Sequence, residues 1–136
     1  MIYETFEHQA DIGIRGFGVT LEEAFGNTAR ALYSVMVRID AVRPLEERTI
    51  TVSAPDSELL LVEWLNALLS LSDIDRMVFS KFDVKIDGTV LKGSAWGEKL
   101  DPGRHEPNVE VKGATYHLLH ITKDDGGYTA QCVVDV

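Results

Sequence analysis

The pattern of apolar and polar positions along the chain predicts its first helix most clearly. Thr20-Leu-Glu-Glu23 has the sequence of a capping box, in which the threonine hydroxyl and the later glutamate satisfy free backbone N–H groups. A wide, mostly apolar stripe then recurs at three- and four-residue spacing. Its members are Leu21, Ala24, Phe25, Thr28, Ala29, Leu32, Val35, Met36 and Ile39. We expect the helix to end near Arg38, whose charge suits a helix C-terminus.

A second helix is expected to start around Pro55-Asp56-Ser57 and to run through Leu71. It is apolar nearly all round, which predicts burial on several sides. Its polar exceptions, Glu63, Asn66 and Ser70, fall on one narrow stripe. This stripe is either the solvent side of the helix or a face turned towards a polar site beside the strands.

Most of the remaining chain is rich in β-branched and aromatic residues, which predicts strands. The expected strands cover Thr49 to Ser53, Val78 to Ile86, Thr89 to Trp96, Val109 to Ile121 and Tyr128 to Val134. Asp87-Gly88 and Asp124-Asp-Gly-Gly127 predict hairpins between neighbouring strands. The expected fold class is α+β, with a mostly antiparallel sheet and two helices packed on one face.

Composition limits the kinds of protein that this chain can be. Its 136 residues predict a single domain over 1–136 that is long enough to bury a core. No apolar run approaches the roughly 20 residues of a membrane helix, and the first residues lack the features of a signal peptide. We therefore expect a cytoplasmic protein that does not contact membranes. The single cysteine, Cys132, excludes an internal disulfide and a multi-cysteine zinc site.

The formal net charge of −9 bears on the choice of partners. An acidic surface repels phosphate backbones, so no stable direct binding of nucleic acid is expected. A basic protein partner or a metal ion suits this charge, and so does an acidic surface that serves solubility alone. We expect a monomer or a weak oligomer.

Most familiar catalytic patterns are missing from the sequence. There is no G-x-S-x-G elbow, no phosphate-binding G-x-x-x-x-G-K-[ST] loop, and no G-x-G-x-x-G motif after a strand. His117 and His120 have metal-ligand spacing for a helix, but they lie in an expected strand, where residues three apart point to opposite faces. His117 is expected to join a polar network with Thr115. His105, in a charged loop, is expected to be exposed.

Carboxylates form the most suggestive group. Asp11 and Asp135 interrupt apolar, strand-like runs near the two ends of the sequence, and Asp135 is followed by the terminal carboxylate of Val136. Buried carboxylates are costly without a partner, so a cation among them would relieve the repulsion. Oxygen-only ligation favours Ca²⁺ or Mg²⁺ over zinc. His8 is placed to orient a ligating carboxylate or a water molecule.

Four blocks of sequence together resemble the archease family, in the family's order and over nearly the whole chain. They are His8-Gln-Ala-Asp11-Ile-Gly13, Leu60 to Asn66, Arg104 to His117, and the ending Val134-Asp135-Val136. Gln9 and Gly113 depart slightly from the usual pattern. The resemblance implies a strand-helix-strand-strand core with an inserted segment. It also implies a metal site, usually described with Ca²⁺, at Asp11, Asp135 and Val136; Mg²⁺ or Mn²⁺ are the alternatives.

The resemblance further implies an activator of the RtcB-type tRNA-splicing ligase, not an enzyme in its own right. Such an activator promotes the GTP-dependent guanylylation and multiple turnover of the ligase and broadens its use of nucleoside triphosphates. The expected functional neighbours of the metal are His8, Asp56, Glu63, Lys112 and His117. Two other functions stay open: a metal-dependent hydrolase, and a general chaperone or modulator of RNA-processing enzymes such as tRNA methyltransferases.

Overall fold

A computed structural model describes residues 2–136, which form eight strands, three α-helices and a short 3₁₀ helix at Ile39–Ala41. The helices are α1 (Leu21–Met36), α2 (Ser57–Asp75) and α3 (Pro102–His105). The strands are β1 (Tyr3–His8), β2 (Asp11–Gly18), β3 (Glu46–Ser53), β4 (Met77–Asp87), β5 (Val90–Lys99), β6 (Gly113–Ala114), β7 (His120–Asp124) and β8 (Gly127–Asp135).

These strands are divided between two antiparallel sheets. In the larger sheet, β1 pairs with β2 and β2 with β8, while the other edge of β8 pairs with both β6 and β7. The smaller sheet has the order β3-β5-β4, and a bulge between Phe79 and Lys81 interrupts its last ladder. The α+β class and the antiparallel pairing are confirmed. The strands form two sheets, whereas one sheet was expected from the sequence.

The first helix begins as the capping box predicts. Thr20 has an extended backbone, and its hydroxyl accepts a hydrogen bond from the Glu23 amide at 3.1 Å. The helix ends at Met36, two residues before the expected Arg38, because Val37 is already extended. Its apolar stripe packs on β2 and β8, and another part of its surface contacts β4.

The second helix begins after Asp56, whose carboxylate accepts a hydrogen bond from the Leu59 amide at 2.9 Å. It packs on the smaller sheet, and its Trp64 is fully buried. The indole N–H of Trp64 donates to the carbonyl of Phe25 at 3.2 Å, which ties the two long helices together. Gly93 lies under this indole, and any side chain there would overlap the ring. Among the helices of residues 2–136, none has the length and apolar character needed to cross a bilayer.

Both predicted hairpins are present. Asp87 pairs with Val90, and the intervening turn uses Gly88 at a φ of +61°, a conformation that glycine adopts without steric cost. Asp124 pairs with Gly127 and closes the β7–β8 hairpin around Asp125 and Gly126.

The strand expected from Val109 to Ile121 is wrong over most of its length. Only β6 and β7 are extended and paired there, and a turn separates them. The amide and the hydroxyl of Thr115 both donate to the Val133 carbonyl, at 3.0 and 2.7 Å, and Leu118 has a φ of +51°. Because Thr115 makes these bonds at the turn, β6 and β7 pair with β8 as two separate short strands.

His105 was expected to be exposed, and this expectation is wrong. Its side chain is 0% exposed and its Nε2 lies 2.9 Å from Glu98, itself only 5% exposed. His105 Nδ1 accepts a hydrogen bond from the Asp101 amide, so Nε2 carries the proton that is donated to Glu98. Arg104 and Arg43 also donate to this carboxylate, which anchors the loop after β5 to the segment that follows the 3₁₀ helix.

Candidate functional site

The pairing of β2 with β8 brings together the residues near the two ends of the sequence. The last pair in that ladder is Ile12 with Val134, so Asp11 and Asp135 follow it on adjacent strands. The Val136 amide nitrogen lies 3.4 Å from Asp11 Oδ1. We call the group Asp11, Asp135 and Val136 the carboxylate end.

Lys112 adjoins the carboxylate end through its backbone. Its amide donates to the Asp135 carbonyl at 2.7 Å, immediately before β6 pairs with the same strand. The Lys112 side chain is exposed and forms no ion pair with any carboxylate in residues 2–136. Its ammonium group is therefore available to an anionic group that approaches this end of the sheet.

Two histidines meet beside the carboxylate end. His8 ends β1 opposite Asp11, and its Nε2 atom lies 3.1 Å from Nε2 of His117. Their rings meet edge to face, with centroids 4.5 Å apart. At this contact one of the two Nε2 atoms must donate its N–H and the other must accept it. Such a pair can orient a polar ligand or pass it a proton.

The turn that carries His117 is fastened to β8. The His117 amide donates to the Thr115 hydroxyl at 3.2 Å, and the His117 carbonyl accepts from the Val133 amide at 3.0 Å. The polar network expected for His117 and Thr115 is therefore present. It forms through the backbone of His117, and the imidazole faces His8.

The other two expected neighbours, Asp56 and Glu63, both belong to the region of α2. The carboxylate of Asp56 caps the helix, and Glu63 is exposed. Within residues 2–136, no hydrogen bond or ion pair connects either side chain to the carboxylate end. Asp56 therefore has an evident structural role.

Two members of the polar stripe of α2, Asn66 and Ser70, face the chain that leads into the carboxylate end. Asn66 accepts from the Ala114 amide at 2.8 Å and lies 3.5 Å from the Ala114 carbonyl. Asn66, Ser70 and residues 110–114 also line a shallow pocket of about 610 Å³. Asn66 thus positions β6 through its side-chain amide. Of the two alternatives for the stripe, solvent or a polar region beside the strands, Asn66 takes the second.

Side chains alone do not form a metal cluster here. Across residues 2–136, no group of three or more His, Cys, Asp or Glu side chains is arranged to hold a metal ion. A metal at the carboxylate end would therefore need oxygen ligands beyond the side chains of Asp11 and Asp135. These donors are all oxygen, which suits hard cations such as Ca²⁺.

Comparison with known proteins places this fold and sequence in one family. The model of the Archease protein family (MTH1598/TM1083) matches residues 3–136. The proteins named archease from Pyrococcus abyssi and Sulfurisphaera tokodaii are 48% and 45% identical to the chain, and each match covers 98% of both sequences. The chain belongs to the archease family.

Two solved structures have the same fold. The solution structure of Methanobacterium thermoautotrophicum protein 1598 is 38% identical, with a TM-score of 0.87 over 98% of both chains. The crystal structure of an archease, possible chaperone, from Thermotoga maritima has a TM-score of 0.63 over 100% of this chain and 98% of its own. That second protein is 22% identical, and its likeness is evidence for the fold alone.

Proposed function

We propose that this member of the archease family activates an RtcB-type tRNA-splicing ligase. In this role it promotes guanylylation of the ligase by GTP, permits multiple turnover and broadens the use of nucleoside triphosphates. The observation that carries the proposal is the family match over residues 3–136, which spans all residues of the carboxylate end.

The proposed cofactor is Ca²⁺, with Mg²⁺ or Mn²⁺ as alternatives, held by the carboxylate end. The fit rests on the donor set: Asp11 and Asp135 lie on adjacent strands, and Val136 contacts Asp11 through its amide. Carboxylates held this close without a cation would repel one another, and hard divalent ions prefer oxygen ligands. When bound, the metal supplies positive charge for the phosphates of a nucleotide.

The surrounding residues are proposed to position a substrate phosphate. Lys112 offers an unpaired ammonium group, and the His8–His117 pair offers a donor and an acceptor held by the sheet and by the turn on β8. Fixed polar groups of this kind stabilise the charge that develops during phosphoryl transfer. In this proposal the protein adds these groups to the active site of the ligase and performs no catalysis itself.

Two surface features support a protein as the partner. Tyr116 and Leu118 flank His117 in its turn, and they are 67% and 45% exposed. Large apolar side chains beside a polar group are typical of protein-interaction surfaces. The net charge of −9 would attract a basic, RNA-binding partner over long range, so stimulation should weaken as salt increases.

The test is the transfer of labelled GMP to the ligase histidine at several ionic strengths. Wild-type protein should accelerate guanylylation and multiple turnover, while a single turnover by ligase that is already guanylylated should be nearly unchanged. Asp135→Ala should lose this stimulation. The matched control is Asp125→Ala, which removes an exposed aspartate in the β7–β8 turn.

Equal stimulation by wild-type and Asp135→Ala protein would contradict a role for the carboxylate end. Absence of stimulation by the wild type would contradict ligase activation altogether. In that case, capture of RNA methyltransferases by the protein would favour the alternative, a general chaperone or modulator of RNA-processing enzymes.

A further inference from the structure

A second pocket, of about 600 Å³, lies between α1 and β4 and shares no residue with the carboxylate end. One wall is a face of α1 together with its cap, and the other is residues 80–85 of β4. The residues that matter here are Glu22, Glu23, Gly26, Arg30, Asp83 and Lys85. Pockets that bind small molecules usually measure about 300–1,000 Å³, so the size is suitable.

Arg30 is the unusual member of this pocket. Its Nε atom is buried and has no hydrogen-bond partner, and no other side-chain nitrogen or oxygen in residues 2–136 is in that state. Arg30 also forms no ion pair with a carboxylate of the described chain. Buried donors in folded proteins nearly always have a partner, because leaving one unsatisfied costs stability.

The other arginines of the chain all have partners or are exposed to water, which sets Arg30 apart. Five of them, Arg15, Arg38, Arg43, Arg48 and Arg104, pair with carboxylates. The remaining one, Arg76, is exposed at the end of α2, where water can satisfy it. The chain has 22 acidic residues against 13 basic ones, so a carboxylate partner for Arg30 would have been easy to supply.

The charges around the pocket limit what it can accept. Lys85 adds an exposed positive charge that is in no ion pair of the described chain, whereas the Lys81 ammonium already lies 4.8 Å from the Trp96 ring. Glu22, Glu23 and Asp83 also line the pocket, and their charges oppose a polyanion. A ligand with one anionic group, and with donors that face these acids, suits this distribution.

Gly26 keeps the space between the two walls open. A Cβ atom there would meet only Phe82, at 3.8 and 3.9 Å, which are ordinary contact distances. Packing therefore does not require glycine, although glycine inside a helix costs stability relative to alanine. The missing side chain leaves the pocket beside Arg30 accessible.

We infer that this pocket binds a small molecule through one oxyanion, a carboxylate or a phosphate monoester, which Arg30 holds. The Nε–H and one terminal N–H of a guanidinium form a fork that matches two oxygens of such a group, and because Nε of Arg30 is buried, the Arg30 side chain must turn towards the pocket for both to reach the ligand. Positive or hydrogen-bond-donating groups of the same molecule face Glu22, Glu23 and Asp83. The site is independent of the proposed ligase activation.

The experiment follows the arginine Nε–H resonances by NMR during titration with inorganic phosphate and, separately, with acetate. The Arg30 resonance should shift and saturate, while that of Arg76 should not. Stronger binding of phosphate would identify a phosphate ester as the source of the oxyanion, and stronger binding of acetate a carboxylate. Arg30→Met should weaken binding about tenfold or more, and Arg76→Met is the matched control.

Thermal unfolding tests whether Arg30 instead stabilises the fold. Arg30→Met keeps most of the apolar stem and removes the unsatisfied donor, so its melting temperature should equal or exceed that of the wild type. If Arg30→Met does not fold, Arg30→Lys tests the fork while keeping the charge, and it should also bind more weakly. No saturable shift of Arg30 with either probe, or equal shifts of Arg30 and Arg76, would overturn the inference.

Discussion

The amide nitrogen of Val136 lies 3.4 Å from Oδ1 of Asp11, although 125 positions separate the two residues in the sequence. This contact sets the last residue of the sequence beside the start of β2. It places Asp11, Asp135 and Val136 in one small region, and the proposed metal site depends on that arrangement.

Replacing the carboxylates should remove metal binding without unfolding the protein. Asp11→Asn and Asp135→Asn should each weaken Ca²⁺ binding about 100-fold or more. Mutating residues that only hydrogen-bond to metal ligands already lowers metal affinity about 10–100-fold. Calorimetry measures the affinity, and Asp125→Asn in the exposed β7–β8 turn is the control. Unchanged affinity in both variants would place the metal elsewhere.

Extending the chain beyond Val136 should have a similar effect. A peptide bond in place of the terminal carboxylate removes one charged oxygen ligand, so Ca²⁺ affinity should fall while the melting temperature of the metal-free protein stays close to that of the wild type. The same tag placed before Met1 is the control. If both tagged proteins bind Ca²⁺ equally well, the Val136 carboxylate is not a ligand.

The His8–His117 pair should act as a unit in stimulation of the ligase. Because their Nε2 atoms lie 3.1 Å apart, removing either ring leaves the other without its partner. His8→Gln and His117→Gln should each reduce guanylylation, and the double variant should lose less than the sum of the two losses in free energy. A double-mutant cycle measures this, and additive losses would mean that the histidines act separately.

The Glu98 cluster should stabilise the protein in a pH-dependent way. Hydrogen bonds from Arg104 first, and from Arg43 and His105, hold the pKa of Glu98 well below its ordinary range. The unfolded state therefore binds a proton more readily, so this stability is fully present above the unfolded pKa of about 4.3 and is lost as pH falls towards the folded pKa.

Glu98→Gln should lower the free energy of unfolding at pH 7 by about 3 kcal/mol, because the groups around this buried carboxylate lose their counter-charge. The difference from the wild type should narrow below about pH 4, where the glutamate of the unfolded chain becomes protonated. Urea unfolding at several pH values tests this. Glu106→Gln, which removes an exposed partner of Arg38, should cost less than about 1 kcal/mol.

Cys132 should resist thiol reagents while the protein is folded. Its side chain is 0% exposed, and burial raises the pKa of the thiol to about 12. The reactive thiolate is therefore scarce at pH 8, and labelling should require unfolding. The labelling rate should rise with urea in parallel with the unfolded fraction, and rapid labelling of native protein would contradict the buried position.

Elements that depend on near neighbours in the sequence were predicted well. The Thr20 cap, the start of α2 at Asp56 and the two tight hairpins all form through contacts within a few residues, so their sequences specify them directly. Cys132 is buried in β8, as its place in an apolar, strand-like run indicates.

Predictions that required distant partners failed or were incomplete. The sequence from Val109 to Ile121 is strand-like, yet Thr115 bonds to Val133 and breaks the run into two short strands. His105 stands in a charged loop, yet Glu98 and the Asp101 amide make its burial favourable. Side-chain type cannot reveal such partners, because the satisfied hydrogen bonds arise only after the elements have packed.

By itself, the sequence determined the two long helices, the two predicted hairpins, the acidic balance and the family to which the chain belongs. It also placed Asp11 and Asp135 at strand positions. Only the tertiary structure decided that β2 and β8 are neighbours, that His8 meets His117, and that Arg30 has a buried donor without a partner among residues 2–136. Local propensity acts over a few residues, whereas the register of strands more than a hundred positions apart is fixed by the core that they bury together.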